Sequence, residues 1–294
     1  MYLANRAPEL FPGARFAVAH CNFQLRGAES DGDGEFVRSW CSAHGMECFC
    51  RRFDTVRYAS EKNVSIEMAA RELRYAWFGE LCRDNGFEGV AVAHNANDNA
   101  ETLMLNLLRG TGSRGMRGMS GRSVMQDLVV LRPMLGITRE EIRSWMESRG
   151  FKWREDSTNA ASEYKRNRIR NEVFPIFKGI NPSFIQTLNA DMTRLAAADD
   201  IAEDYFEECR GKVLTGDGHI SVTALLAQRH WEYLLWRLVE HCGFSQATFD
   251  KLTALLERYR TEPSGTVTLS GKTFEAPGYI LRASRRMLII DRRP

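Results

Sequence analysis

Short apolar runs and amphipathic stretches alternate through the first half of the chain. Residues 15–20, 47–53, 90–93 and 127–131 are brief runs rich in Val, Ala, Leu and Phe, and such runs read as strands. The 90–93 run is apolar throughout, with no alternation, and so reads as a buried parallel strand. Between the runs, three sets of residues recur at helical spacing: Phe36, Val37, Trp40 and Cys41; Ile66, Ala69, Ala70, Leu73, Ala76, Trp77 and Leu81; Ala100, Leu103, Met104, Leu107 and Leu108. Residues 1–10 predict a short helix closed by Pro12-Gly13. Thr138 and Glu141 form a capping box that opens a helix running to Gly150. This alternation predicts an α/β domain built on a doubly wound parallel sheet.

Past Gly150 the pattern changes. Residues 153–159 carry polar groups too densely for a core. Helical spacing resumes through Ile169, Val173 and Phe177. Asn181-Pro182 reads as a cap followed by proline at the first helical position. Ile185, Leu188, Met192, Leu195 and Ile201 then stripe a long helix. Helices over 223–242 and 245–260 follow, and 265–291 read as short strands with a turn at Ser270-Gly271. The expectation is a first domain over 1–180 and a smaller, mainly α-helical domain over 181–294 with a short β-rich end. The chain shows no internal repeat.

The polar residues around the 90–93 run stand out. The run ends in His94, and Asn97 is a suitable N-cap for the helix that follows. His94, Asp98, Glu101 and Thr102 therefore gather where a strand ends and a helix begins, the edge at which open parallel sheets bind ligands. Asp98 and Glu101 share one helix face at i and i+3. An acidic first turn also simply complements the positive end of a helix, so this pair alone does not decide. The same helix ends abruptly in Arg109-Gly110-Thr111-Gly112, where glycines permit a tight exit and close approach to a ligand.

The net charge of +2 excludes little, but its distribution is uneven. Residues 109–170 hold 14 Lys/Arg against 7 Asp/Glu, a basic block suited to a polyanionic substrate or to a solvated surface. No apolar run approaches the roughly 20 residues of a membrane span, and no membrane partner is expected. The seven cysteines include no Cys-x-x-Cys pair. Cys48-Phe49-Cys50 reads as two thiols on opposite faces of a strand, unsuited to a disulfide or a zinc site. Reduced thiols in a cytoplasmic protein follow from this.

Several further pieces lie in order along residues 20–182: His20-Cys21-Asn22 with Leu25-Arg26-Gly27; Ala70-Arg71-Glu72-Leu73-Arg74-Tyr75; Ala93-His94 with Asp98 and Glu101-Thr102. After Leu108-Arg109-Gly110-Thr111-Gly112 come Arg132-Pro133, Glu155-Asp156-Ser157-Thr158-Asn159, Arg166-Asn167-Arg168-Ile169-Arg170 and Ile180-Asn181-Pro182. In these pieces the chain resembles the tRNA(Ile)-lysidine synthases, of the PP-loop ATP pyrophosphatase group.

The resemblance implies ATP and Mg2+ as cofactors, with free L-lysine and an isoleucine tRNA with a CAU anticodon as partners. The reaction it implies is adenylation of the wobble cytidine and displacement of AMP by the lysine amine. Asp98, Glu101 and Arg109 are then catalytic candidates, with Asp98 a candidate metal ligand. His20, Asn22, His94 and Thr102 are candidates for the nucleotide, and Arg166, Arg168 and Arg170 for the tRNA backbone. Arg71 and Arg74 are weaker choices. The second domain is expected to bind tRNA, and a homodimer is allowed.

One departure stands against this. The family's first strand and its Ser-Gly-Gly-x-Asp-Ser loop, whose amides cradle phosphates, have no counterpart in the sequence. A truncated start is expected, with adenylation weak in the chain by itself. Two other readings stay open: a tRNA-thiolating enzyme of the same ATP-binding group, in which Cys21 is the thiol beside the pocket, and a non-catalytic tRNA-binding module.

Overall fold

In the computed structural model residues 1–154, 165–262 and 265–293 are described. The motif at 155–159 lies outside them. Contacts divide the chain into two units, Met1–Ala196 and Ala197–Pro294. The divide falls later than the expected boundary near Asn181. Its cause is the start of the long helix, where Phe184, Ile185 and Leu188 pack on Ala96 and Ala100 of the first unit.

The first unit alternates as its sequence pattern requires. Helix α1 (Tyr2–Leu10) leads to strand β1 (Ala17–Asn22), helix α2 (Ala28–Ala43) and strand β2 (Glu47–Arg52). Next come α3 (Thr55–Lys62), α4 (Ile66–Asn85), β3 (Val90–Ala91) and α5 (Ala96–Arg109). The unit continues with α6 (Ser113–Met116), β4 (Arg122–Met125), β5 (Leu128–Leu131) and α7 (Arg139–Ser148). It closes with α8 (Lys165–Arg168), a π-helical turn at Ile169–Val173, α9 (Phe174–Ile180) and the start of α10 (Phe184–Val213).

The parallel pairing occurs in two pieces. β1 pairs β2, with His20 opposite Cys50, and β3 pairs β5, with Val90 opposite Val130. β4 adds an antiparallel edge to β5, so the glycine-rich stretch after α5 leads into a hairpin that its composition concealed. Trp77 and Phe78 of α4 pack against Phe53, Leu128 and Val130, and Ala19 and Phe49 join that cluster. One helix thus covers both pieces of sheet.

Three local readings are corrected. The N-cap of α5 is Asn95, not Asn97: the Asn95 side chain accepts from the Asn97 and Asp98 amides, and Asp98 accepts from the Asn95 amide. Cys48 and Cys50 share a face, since strand side chains repeat every two residues, and their sulfurs lie 3.7 Å apart. Ser270-Gly271 precedes a strand and does not join two. The capping box of Thr138 and Glu141, by contrast, opens α7 as the sequence indicates.

The second unit holds β6 (Ile220–Ser221), α11 (Val222–Leu226), α12 (Trp231–Val239), α13 (Gln246–Thr261), β7 (Lys272–Ala276), β8 (Tyr279–Ser284) and β9 (Met287–Arg292). Its antiparallel sheet runs β6-β9-β8-β7, and Leu225, Leu235, Leu256, Leu281 and Leu288 are fully buried between helices and sheet. Arg237 is buried with them. Two of its nitrogens grip Glu203 at 2.5 and 3.1 Å, and its guanidinium lies over the Phe206 ring.

Gly118 shows how tightly the loop after α5 is held. Its φ is +70°, and a Cβ there would meet Asn99 Oδ1 at 2.5 Å and the Met192 sulfur closer still. Asn99 also accepts from the Met119 amide and donates to Asn189. A left-handed backbone costs an L residue about 1–2 kcal/mol, and forced overpacking about 1–3 kcal/mol. Gly118→Ala is therefore expected to lower stability by about 2–4 kcal/mol in urea unfolding. Gly121→Ala, with open space around its Cβ, should stay within about 0.5 kcal/mol.

Candidate active site

Helix α5 starts at the carboxyl end of β3 and places Asp98, Glu101 and Thr102 on its first turns. Glu101 is wholly buried, and a buried carboxylate needs partners. Arg170 supplies them bidentately, with Nε at 2.7 Å from one oxygen and an Nη at 2.9 Å from the other. Arg139 and Arg166 approach Glu101 at 3.5 Å each.

Asp98 is held more loosely. One oxygen caps its own helix; the other lies 3.4 Å from Arg139 and 3.8 Å from Arg170. Thr102 donates to the Asp98 carbonyl and accepts from Arg166. Two carboxylates thus face three guanidinium groups, and the group is positive overall.

The π-helical turn at Ile169–Val173 explains part of this aim. Ile169 enters the core beside Ala100 while the neighbouring Arg170 reaches Glu101. Such single wide turns recur where a helix must redirect a side chain. Arg139 stands at the first position of α7, where its amide donates to Asn97.

His94 lies against the same group. Burial pushes its imidazole below the ordinary value of 6.5, with Asp98 pulling the other way and Arg132, Arg166 and Arg71 reinforcing the fall. Its Nδ1 is buried with no hydrogen-bond partner, and so are Nε of Arg132 and Nε of Arg166. Buried polar atoms are rarely left unpaired in a finished site. An anion supplied from outside satisfies donors of this kind.

The other candidates are placed as follows. His20 stands on β1, where burial, opposed by Asp33 and aided by Arg38, lowers its pKa; its Nε2 is buried and unpartnered. Asn22 holds the turn after β1, donating to Asp31 and accepting from the Gln24 amide. Beside that turn Asp33 binds Arg26 and Arg154, which keep its carboxyl low although burial acts the other way.

Arg109 is exposed at the far end of α5. At 1.5 Å per residue it stands about 16 Å along the axis from Asp98, so the expected trio with Asp98 and Glu101 is corrected: Arg109 is not part of it. Of the tRNA candidates, Arg166 and Arg170 turn inward to the carboxylates. Arg168 is exposed and pairs with Glu172. Arg132 and Arg139 were not singled out as ligands from the sequence, and only the Arg-Pro step after β5 and the capping box hinted at their positions.

The chain matches the PP-loop domain family over residues 1–177. It is 40% identical to the tRNA(Ile)-lysidine synthase of Parabacteroides distasonis over 239 residues, 81% of this chain and 54% of that one. The tRNA(Ile)-lysidine synthase of Chlorobaculum tepidum is 36% identical over 264 residues, 85% of this chain and 78% of its own. The chain belongs to the tRNA(Ile)-lysidine synthase family. It spans about half the length of its relatives in Parabacteroides distasonis and Bacteroides thetaiotaomicron. Among solved structures it is similar in fold to the U34-tRNA thiolase NcsA of Methanococcus maripaludis, with a TM-score of 0.54, 15% identity, and 66% of this chain and 65% of that one covered. ATP use accompanies the PP-loop fold.

Two measurements check this site. Arg170→Met strips the closest partners from a buried carboxylate, and breaking such a pair costs about 3–5 kcal/mol; with Arg139 and Arg166 still near, a loss of about 2–4 kcal/mol is expected in chemical unfolding. Arg168→Met removes only an exposed pair with Glu172 and should leave the unfolding midpoint nearly unchanged. The histidines set a pH dependence. With folded pKa values below 6.5, the unfolded chain binds more protons between those values and 6.5, so stability rises with pH through that window. His94→Gln and His20→Gln should each flatten the fall in melting temperature as pH drops from 6.5.

Proposed function

We propose that this site joins free lysine to the wobble cytidine of an isoleucine tRNA at the expense of ATP, through an adenylated RNA. The observation that carries the reading is the pair of buried nitrogens without a hydrogen-bond partner on His94 and Arg132, with Arg166 Nε held only by an ion pair to Glu101, beside a carboxylate pair. Adenylation gathers negative charge on the phosphates as pyrophosphate leaves, and fixed cations aimed there stabilise it. Arg132 and Arg166 do this, and His94, uncharged near neutral pH, accepts or donates one hydrogen bond without adding charge.

The two carboxylates take separate parts. Glu101 is committed to Arg170 and acts as the anchor that holds the guanidinium groups in place. Asp98 keeps an oxygen held only by one long hydrogen bond from Arg139 and a 3.8 Å ionic contact with Arg170, and that oxygen receives the incoming amine or a metal. Among the described residues no group of three acidic, histidine or cysteine side chains has the arrangement of a metal site. Mg2+ ordinarily binds through one or two carboxylates plus substrate phosphates, so Asp98 is the residue that would hold it, and the ion would supply neutralisation of phosphate charge. Arg168 and the exposed part of the basic block contact the tRNA backbone, where phosphate contacts give affinity and register.

The thiolating alternative needs a reactive thiol. Burial pushes Cys21 up to about 11, although Arg74 beside it acts the other way, and a thiol so held is a poor nucleophile. The test is transfer of labelled lysine to the tRNA in the presence of ATP. Lysine should appear in the RNA, and Asp98→Asn should cut transfer about a hundredfold or more with tRNA affinity retained. Unlabelled RNA, with salt-dependent binding intact, would leave a tRNA-binding module instead.

A further inference from the structure

Strand β2 and helix α2 bring three thiols together away from the carboxylate group. Cys48 Sγ lies 3.7 Å from Cys50 Sγ, and Cys41, buried on α2, lies near enough to Cys48 to interact with it electrostatically. Cys50 is exposed, and Arg38 of α2 reaches it while holding Glu35. Across the strand pair Cys50 stands opposite His20. No metal-binding arrangement exists among the described residues, so the trio is thiol chemistry without an ion.

We propose that Cys50 and Cys48 form a reversible thiol–disulfide pair, with Cys50 modified first by a small anionic disulfide such as oxidised glutathione. The exposed Cys50 sulfur attacks one sulfur of the incoming disulfide. The disulfide bond of glutathione breaks, a mixed disulfide forms on Cys50, and the released thiolate takes the proton that Cys50 gives up. Cys48 then attacks the Cys50 sulfur, the mixed disulfide breaks, and the second glutathione leaves with the Cys48 proton. The two cysteines lose two electrons, and the glutathione disulfide gains them.

The geometry sets the character of each step. Arg38 beside Cys50 draws an anionic disulfide to the one exposed thiol of the trio. Residues two apart on a strand have Cα atoms about 6.6 Å apart, at the upper end of the 4.4–6.8 Å that a disulfide spans. The final bond is therefore strained and easily reduced, as labile and regulatory disulfides are. β2 pairs only with β1 among the described residues, so its free edge can yield to that strain. Burial pushes Cys48 up to about 12, which slows the second step and lets the adduct on Cys50 accumulate. That adduct stands next to His20 and Arg38.

The test is exposure of the chain to oxidised glutathione, quenching by alkylation and peptide mass mapping over time. Cys50 should carry glutathione about tenfold sooner than the half-buried Cys21 and Cys82, followed by a slower Cys48–Cys50 bond. Cys48→Ser should leave the adduct on Cys50 permanent, and Arg38→Gln should slow its formation several-fold, with circular dichroism unchanged in both. Equal rates at Cys21 or Cys82, a Cys41–Cys48 bond with Cys50 free, or release of the second glutathione from Cys48→Ser at the rate of the unsubstituted chain would each overturn the proposal.

Discussion

A carboxylate with no solvent exposure is the constraint around which the first unit is arranged. Ionised Glu101 could not stay inside without compensation, and Arg170 supplies it with two parallel hydrogen bonds. This contact fixes the start of α5 to a turn 69 residues later in sequence. Arg139 and Arg166 crowd the same oxygens, so the pair also sets the positions of the cations around His94. Taking out the carboxylate would leave three guanidinium groups facing one another with only Asp98 to offset them.

The positive balance of this cluster changes the chemistry expected of it. Paired acids at a helix start suggest a cation site when read alone. With three guanidinium groups around them the surroundings favour an anion instead, and burial, reinforced by Arg132, Arg166 and Arg71, holds the pKa of His94 down. The helix end contributes in the same sense, since its free amides carry partial positive charge. Asp98 then differs from Glu101 by its looser contacts, a distinction that identical spacing on a helix could not reveal.

Alternation of strands and helices was legible in the sequence because it rests on local periodicity, and so was the capping box of Thr138 and Glu141. The gathering of His94, Asp98, Glu101 and Thr102 was legible too, since all four lie on one strand–helix junction. Partners far apart in sequence were not. Arg139 and Arg170 reach the carboxylates from other helices, and an arginine pattern carries no mark of whether it faces water or a buried acid. Arg109 misled for the opposite reason: it shares α5 with the site, but helix rise carries it to the other end. The N-cap of α5 was misplaced by two residues because two asparagines compete there and only hydrogen bonding chooses between them.

The two pieces of parallel sheet have one more implication. Among the described residues β1 pairs with β2 alone and β3 with β5 alone, so each keeps a row of amides and carbonyls turned to no neighbour. Such rows bind any extended peptide that offers a complementary row, including an identical chain. Isolated at high concentration, the polypeptide should therefore self-associate through its backbone, and a short strand peptide that caps either row should keep it dispersed.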